Sequence, residues 1–440
     1  MMINILYGTV TLAIFLVIFW VTTRYFQEKT FLRAVTLGSL CYGILIAFLV
    51  RTIFGHILED PAYFPDAYYY LSYATEKVAE WRGEGALGYI PLPTRGYTYF
   101  IAIIYSIFGQ NIYAVIFVQL LLASLIPIFT FSIAREFFGI KTAKLCALFV
   151  AFFPDTYVWA SFALKEIIVV FSIYLTLLQF LKFRKRPNLT SLLTTVGPLI
   201  FLLFARPHIA LFLGIIFMLA SMWPITIERL VWIPIAVAVF AIFISQAGLS
   251  NFLKIVPETP LYVYSRGEIL VTGTLPELLR RLVTGELIPY LLLGTARYLL
   301  SPLPWQATNA YQAVVPGIIL WYFMLPAAIW GVMWVIKARK HIYILLLIFL
   351  FLIFWYSLIV TGTDPRWRLM IMPLFCIFSA YGFLWLINSL SGLIIWIFGV
   401  LIIWLFLSIY ALEIKIVLWM LIPILIIGTL IVLDVFRKRS

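Results

Sequence analysis

The chain has 440 residues, of which 64% are hydrophobic, 18% aromatic and only 11% charged. A mean hydropathy of +1.08 with that composition excludes a soluble globular fold. The formal charge of +13 is strongly basic, but its distribution, given below, reports membrane topology and gives no reason to expect a nucleic-acid partner.

Apolar windows of about 17–25 residues predict an all-α polytopic membrane protein of roughly thirteen transmembrane helices. In chain order they fall near 5–23, 34–54, 112–134, 143–158, 162–181, 190–205, 209–224, 230–247, 316–336, 342–361, 369–388, 392–410 and 416–434. The first could be mistaken for a signal peptide. It lacks a preceding basic region and a small-residue cleavage site ahead of Arg24, so it reads as a retained helix. Two long polar stretches interrupt the series, 55–111 after the second span and 248–315 after the eighth. Within the first, Gly96 to Phe108 is apolar but short, and both its neighbours belong on one side. It therefore reads as an interfacial or re-entrant helix with Tyr97, Tyr99 and Tyr105 at headgroup level. The second stretch has turn residues Pro257, Pro260, Gly267, Gly273 and Pro276, then an amphipathic run from Glu277 to Leu300, then Pro302 to Trp305. Short surface helices roofing a cavity between the spans are expected there. The division implied is 1–33, an extra amino-terminal helix with a basic loop; 34–315, a module with both long loops; and 316–440, a carboxy-terminal helix bundle.

Lysine and arginine orient the chain, because short loops rich in them stay on the cytoplasmic side. Arg24/Lys29/Arg33, Arg135/Lys141/Lys144, Lys182/Arg184/Lys185/Arg186, Arg229, Lys337/Arg339/Lys340 and Arg437/Lys438/Arg439 all fall on one side if the amino terminus is outside. That places 17 of the 31 basic and 4 of the 18 acidic residues inside, so the whole excess of +13 is cytoplasmic and both long loops face outwards. Cys41, Cys146 and Cys376 lie in apolar spans as packing residues, with no disulfide or zinc spacing.

Several short motifs follow one another in a telling order. They are Asp66-x-x-x-Tyr70-x-x-x-Ala74, Arg95-Gly96-Tyr97, Ala102 to Gly109, Ala134-Arg135-Glu136-Phe137-Phe138-Gly139, Phe153-Pro154 and Arg366-Trp367-Arg368-Leu369-Met370-Ile371-Met372-Pro373. In order and spacing they resemble the GT-C superfamily of membrane glycosyltransferases, which includes protein O-mannosyltransferases and lipid A aminoarabinose transferases. The resemblance covers roughly residues 34–385 and implies a seven-helix module with a catalytic acid in its first external loop. It also implies a polyprenyl-phosphate sugar as donor. The adjacent pair Glu59-Asp60 precedes the Asp66 motif instead of coinciding with it, so Glu59 and Asp60 stand as alternative acids.

An inverting sugar transfer needs a base that takes the acceptor's hydroxyl proton, and Asp66 is the candidate; the competing reading is a helix N-cap. The donor phosphate needs cations near the hydrocarbon boundary. Arg206, Arg297, Arg366 and Arg368 fit through their bidentate fork, with Lys165 beside Glu166 lining a cavity a few residues inside its span. Snorkelling or pairing with a local acid is the alternative use for each. His208 is a candidate proton relay or an interfacial residue, Asp155 reads as solvated, and Tyr68, Tyr69, Tyr70 and Trp305 could stack on sugar rings or anchor at the interface. No cofactor is expected; a divalent metal would use Glu59, Asp60 and Asp66, but the absence of a second carboxylate or histidine cluster favours a metal-independent enzyme. The function expected is an inverting transferase acting at the external face of the cytoplasmic membrane. Its partners would be the lipid bilayer, the lipid-linked sugar and a glycan, glycolipid or protein acceptor. A polysaccharide polymerase or ligase, relying on Arg206 and His208, is the rival. A flippase is disfavoured because no inverted repeat is visible.

Overall fold

The computed structural model describes residues 23, 27–58, 65–85, 90, 92–221, 261–265, 268–273, 280, 284–286, 288–300, 304, 307, 309–337, 342–359, 365–388 and 390–412. Its helices are α1 (Lys29–Leu58), α2 (Pro65–Trp81), α3 (Leu92–Phe108), α4 (Ile112–Phe138), α5 (Ile140–Ala151), α6 (Pro154–Ala160), α7 (Glu166–Lys185), α8 (Leu189–Ala205), α9 (Pro207–Ser221), α10 (Ile288–Leu300), α11 (Val315–Lys337), α12 (Tyr343–Ile359), α13 (Met372–Ile387) and α14 (Leu390–Leu412), with 3-10 turns at Asn309–Val314 and Pro365–Met370. Each predicted span that falls among the described residues coincides with a helix except 143–158, which is two; those predicted at 5–23, 230–247 and 416–434 lie outside the described residues. The fold is all-α in its membrane part. The second long loop adds an antiparallel hairpin of β1 (Leu261–Ser265) and β2 (Glu268–Gly273), with Leu261 opposite Gly273.

Local chemistry explains where these helices start, turn and break. Asn111 caps α4 by accepting from the Tyr113 amide at 2.9 Å, and Asn188 with Ser191 forms a capping box for α8. Gly139, at φ +83°, reverses the chain between α4 and α5 in a single residue. The predicted span 143–158 is two helices, α5 and α6, bent by 42°. Pro154 opens α6 and lacks the amide that would continue the ladder, while the Tyr157 hydroxyl donates to the Ala151 carbonyl at 2.7 Å and satisfies a group the break would strand. Gly43 on α1 makes this geometry fit, since a Cβ there would meet the Tyr157 ring at 2.5 Å. α11 and α13 cross with their backbones in contact. A Cβ on Gly331 would run into the Phe378 carbonyl, and one on Gly382 into the Ala327 carbonyl.

α2 has the helical period of a surface helix, with Ala67, Tyr70, Ala74 and Val78 buried and Asp66, Tyr68, Tyr69, Glu76 and Trp81 exposed. It packs on α3, which in turn packs on α8. That contact corrects the expected headgroup-level tyrosines: Tyr97 and Tyr105 are buried, and only Tyr99 of the three is exposed. Gly96 is the reason α3 comes so close, because a Cβ there would lie 2.9 Å from the Phe204 side chain and 3.0 Å from its backbone.

Opposite ends of the bundle carry different chemistry. One end gathers the basic connections, where Arg135 reaches Glu28 at 3.1 Å and Gln27 at 3.1 Å, Lys185 pairs with Glu136, and Arg184 reaches the Tyr343 hydroxyl at 3.3 Å. The other end gathers the start of α2, the start of α7, the α8–α9 junction and the 365–370 turn.

Candidate active site

Asp66 lies in the first turn of α2, after Pro65, so it sits within the helix and is not its N-cap. Its charge there is favoured by the positive end of the helix dipole. The side chain is 51% exposed, and its Oδ2 accepts from Nη1 of Arg366 at 3.0 Å. The first long loop is thereby tied to the turn after α12.

Arg206 occupies the junction between α8 and α9. Pro207 follows it, and a residue before proline is kept out of the helical region, so α8 ends there and the side chain is presented at the bundle's end. Its Nη2 donates to Oε1 of Glu166, the first residue of α7, at 2.8 Å, with both side chains buried. The guanidinium also lies 4.2 Å from the centre of the Trp367 ring, and Arg366 lies 4.9 Å from the same ring. Trp367 in turn stacks on Tyr356, and the Tyr298 hydroxyl donates to the Trp367 carbonyl at 2.9 Å. An aromatic wall thus holds two arginines at a fixed spacing beside two carboxylates.

Lys165 stands ahead of α7 in the connecting segment, outside the spanning helix and not within it as the sequence suggested. It is buried, with its ammonium 5.5 Å from the Tyr70 ring. Burial, reinforced by the Arg206 charge, pushes its pKa down to about 7 against the pull of Glu166 and Asp66. Burial and the carboxylates of Glu166 and Asp66 raise the Tyr70 phenol well above its usual value, so it stays a neutral donor. Tyr70 packs edge-on against Tyr97 at 5.0 Å. Gln119, inside α4, donates to the Tyr97 hydroxyl and to the Leu164 carbonyl, the latter at 2.8 Å, and so holds the segment that carries Lys165. The preceding Ala163 adopts φ +52°, a left-handed conformation uncommon for a residue with a side chain, and this sharp turn delivers Lys165 to the cluster.

The remaining candidates are placed differently. Arg368 is buried with its guanidinium 5.4 Å from the Trp321 ring and within electrostatic reach of Asp155 and Tyr322. Asp155, expected to be solvated, is buried against Gly317, where a Cβ would collide with its carboxylate. Two arginines of one turn, separated by Trp367, therefore serve different ends: Arg366 faces Asp66, and Arg368 anchors the turn in the core. His208 stacks on Trp355 at 5.1 Å. Arg297 falls on α10, while its side chain, Trp305, Glu59 and Asp60 lie outside the described residues. Among the described residues no three His, Cys, Asp or Glu side chains come together as a metal site. Sequence reasoning passed over Gln119, Tyr298 and Tyr356, and quoted Trp367 in a motif without giving it a role; a lone amide in an apolar span was the available signal for Gln119.

The all-α membrane fold agrees with the GT-C resemblance, and one end of it gathers an acid and several cations. The family model of dolichyl-phosphate-mannose-protein mannosyltransferases matches residues 94–247, which bears out the resemblance over that stretch and supports a glycosyltransferase. Lys165, Glu166, Arg206 and His208 lie inside the matched stretch; Asp66, Tyr70, Arg297, Arg366 and Arg368 lie outside it. Among solved structures, the Archaeoglobus fulgidus oligosaccharyltransferase tethered with an acceptor peptide is similar at 14% identity, covering 83% of this chain and 50% of that one, with a TM-score of 0.46. The oligosaccharyltransferase AglB of the same organism, in complex with an inhibitory peptide and a dolichol-phosphate, is similar at 13% identity over 80% and 50%, with a TM-score of 0.43. The chain thus spans about half the length of these solved chains. No curated protein matches it.

Proposed function

We propose that the protein is an inverting glycosyltransferase that moves one sugar from a polyprenyl-phosphate carrier to an acceptor hydroxyl at the external face of the cytoplasmic membrane. The observation that carries this reading is the Asp66–Arg366 pair beside Arg206, Lys165 and Glu166, at the end of the bundle opposite the basic connections. Asp66, half exposed, takes the proton of the acceptor hydroxyl as that oxygen attacks the anomeric carbon. The bond from that carbon to the phosphate oxygen breaks, and polyprenyl phosphate leaves from the opposite face with the bonding pair. With Lys165 protonated, three cations face the two carboxylates of Asp66 and Glu166. This leaves one positive charge in excess, matched to the single negative charge of a sugar phosphodiester; once Asp66 has taken up the acceptor proton the excess is two, matched to the leaving phosphate as it gains a second negative charge. Arg366 at the rim and Lys165 behind Tyr70 hold the phosphate, and Trp367 fixes the arginines.

The test is to delete the gene, complement it with wild type, Asp66→Asn or Arg206→Ala, and profile surface glycans and polyprenyl-linked intermediates by mass spectrometry. Asp66→Asn is expected to lose one sugar from the product and accumulate a monosaccharide phospholipid. If Asp66→Asn behaves as wild type while Arg206→Ala accumulates whole lipid-linked repeat units, the transferase reading fails and a polymerase replaces it.

A further inference from the structure

The outward face of α2 is unlike that of its neighbour. On α3 the exposed residues beyond Tyr99 are Ile103, Ile107 and Ser106, whose hydroxyl is satisfied by the Ala102 carbonyl of its own helix at 2.8 Å, so that face tolerates lipid. On α2 an aromatic stripe at intervals of one helical turn, Tyr69, Tyr73 and, two turns on, Trp81, is interleaved with Ser72, Glu76, Lys77 and Glu80. The Tyr69 and Tyr73 rings stack, with centroids 6.2 Å apart, and Tyr68 meets Tyr69 edge-on at 5.9 Å. Lys77 sits 5.9 Å from the Trp81 ring and 5.2 Å from that of Tyr99, and bonds Glu80 at 2.8 Å, which holds the far end of the stripe in place. Ser72 donates to Glu76 at 3.3 Å. Tyr68, Tyr69 and Trp81 are each about half exposed.

Hydrocarbon would strand those carboxylates, hydroxyls and the ammonium, so the stripe is not suited to lipid tails. Flat rings separated by hydrogen-bonding groups suit a ligand with apolar ring faces and hydroxyl edges. From Tyr69 to Trp81 the stripe runs about 18 Å, room for roughly three or four linked sugar rings. It leads directly to Asp66, one turn ahead of Tyr69 and Tyr70. Along the helix and the turn just after it, the acids Asp66, Glu76, Glu80 and Glu84 outnumber Lys77 and Arg82, which disfavours an anionic polymer.

We propose that this face of α2 is the acceptor subsite, and that the acceptor is a neutral glycan chain whose end is delivered to Asp66. The proposal rests on the transferase reading. Its test uses the full chain in nanodiscs and neutral gluco- and manno-configured oligosaccharides of one to six sugars, with binding read by saturation-transfer NMR. Affinity should rise with length up to about the tetrasaccharide and then level off. Tyr69→Ala, Tyr73→Ala and Trp81→Ala should each weaken tetrasaccharide binding about three- to tenfold, while Tyr69→Phe and Tyr73→Phe retain it. Binding that is independent of length, or unchanged in the alanine variants, overturns the proposal, as does displacement by a Ser/Thr-rich peptide or by an acidic oligosaccharide at lower concentration. Weakened association with phospholipid vesicles in the variants, without any effect on oligosaccharide binding, would make the stripe a membrane anchor instead. Asp66→Asn should keep glycan binding and lose transfer. Glycan binding in a wild-type protein that transfers nothing therefore defeats the transferase reading alone, and transfer without length-dependent binding defeats the subsite alone.

Discussion

Glu166 and Arg206 form a buried ion pair at 2.8 Å, with side chains only 2% and 9% exposed. Removing one partner leaves the other charged and dry, which costs about 3–5 kcal/mol in comparable pairs, roughly two to four powers of ten in the folding equilibrium. Removing both for apolar groups of similar size costs far less, because no charge is stranded. Glu166→Leu and Arg206→Met should each destabilise the protein strongly, and the double variant should return close to wild-type stability while remaining inactive. Buried Cys146 and Cys376 provide the readout, through their labelling by a thiol-reactive dye as SDS is added to mixed micelles; Cys41, which is exposed, is first replaced by alanine. Single variants that each lose less than about 1 kcal/mol and add up in the double would refute the argument, because they would mean that the pair is hydrated and contributes as a surface pair does.

Other consequences are open to measurement. Lys165, with its pKa lowered to about 7, must gain a proton to bind phosphate above that pH. The KM for the lipid donor should be flat below pH 7 and rise by about tenfold per unit above it, and Lys165→Met should abolish the slope. Gly96→Ala should push α3 away from Phe204, costing about 1–3 kcal/mol of stability and lowering kcat, read by transfer assays alongside thermal unfolding. Gly382→Val should separate α11 from α13 and give little folded protein by size-exclusion chromatography, because its side chain would collide with the Ala327 carbonyl and backbone cannot yield.

Much of the framework is readable from the chain, because apolar length and loop charge are local properties. The predicted spans that fall among the described residues are helical, while α2 and α10 arise within the two long polar stretches, and the basic connections do meet at one end through Arg135, Glu28, Lys185 and Glu136. Asp66, Arg206 and Arg366 could be singled out by residue type. What could not be read is their pairing, since Arg366 finds Asp66 across 300 residues and nothing in either local sequence names the other. The opposite fates of Arg366 and Arg368 depend on which way a 3-10 turn faces, and the burial of Tyr97 depends on a glycine contact with another helix. Asp155 looked like a loop acid because the helix break that buries it, with Tyr157 satisfying Ala151, is a tertiary event.

The turn at 365–370 joins parts of the chain made at very different times. Glu166 and Arg206 leave the ribosome close together and can pair as soon as α7 and α8 enter the bilayer. Asp66 must wait until almost all of the described chain has been synthesised before Arg366 arrives. A nascent or truncated chain can thus carry the Glu166–Arg206 pair while still lacking the Trp367 ring over Arg206 and the Asp66–Arg366 contact. On the function proposed above, synthesis of the 365–370 turn is then the step that completes the centre, and release before it should yield membrane-inserted protein without transfer activity.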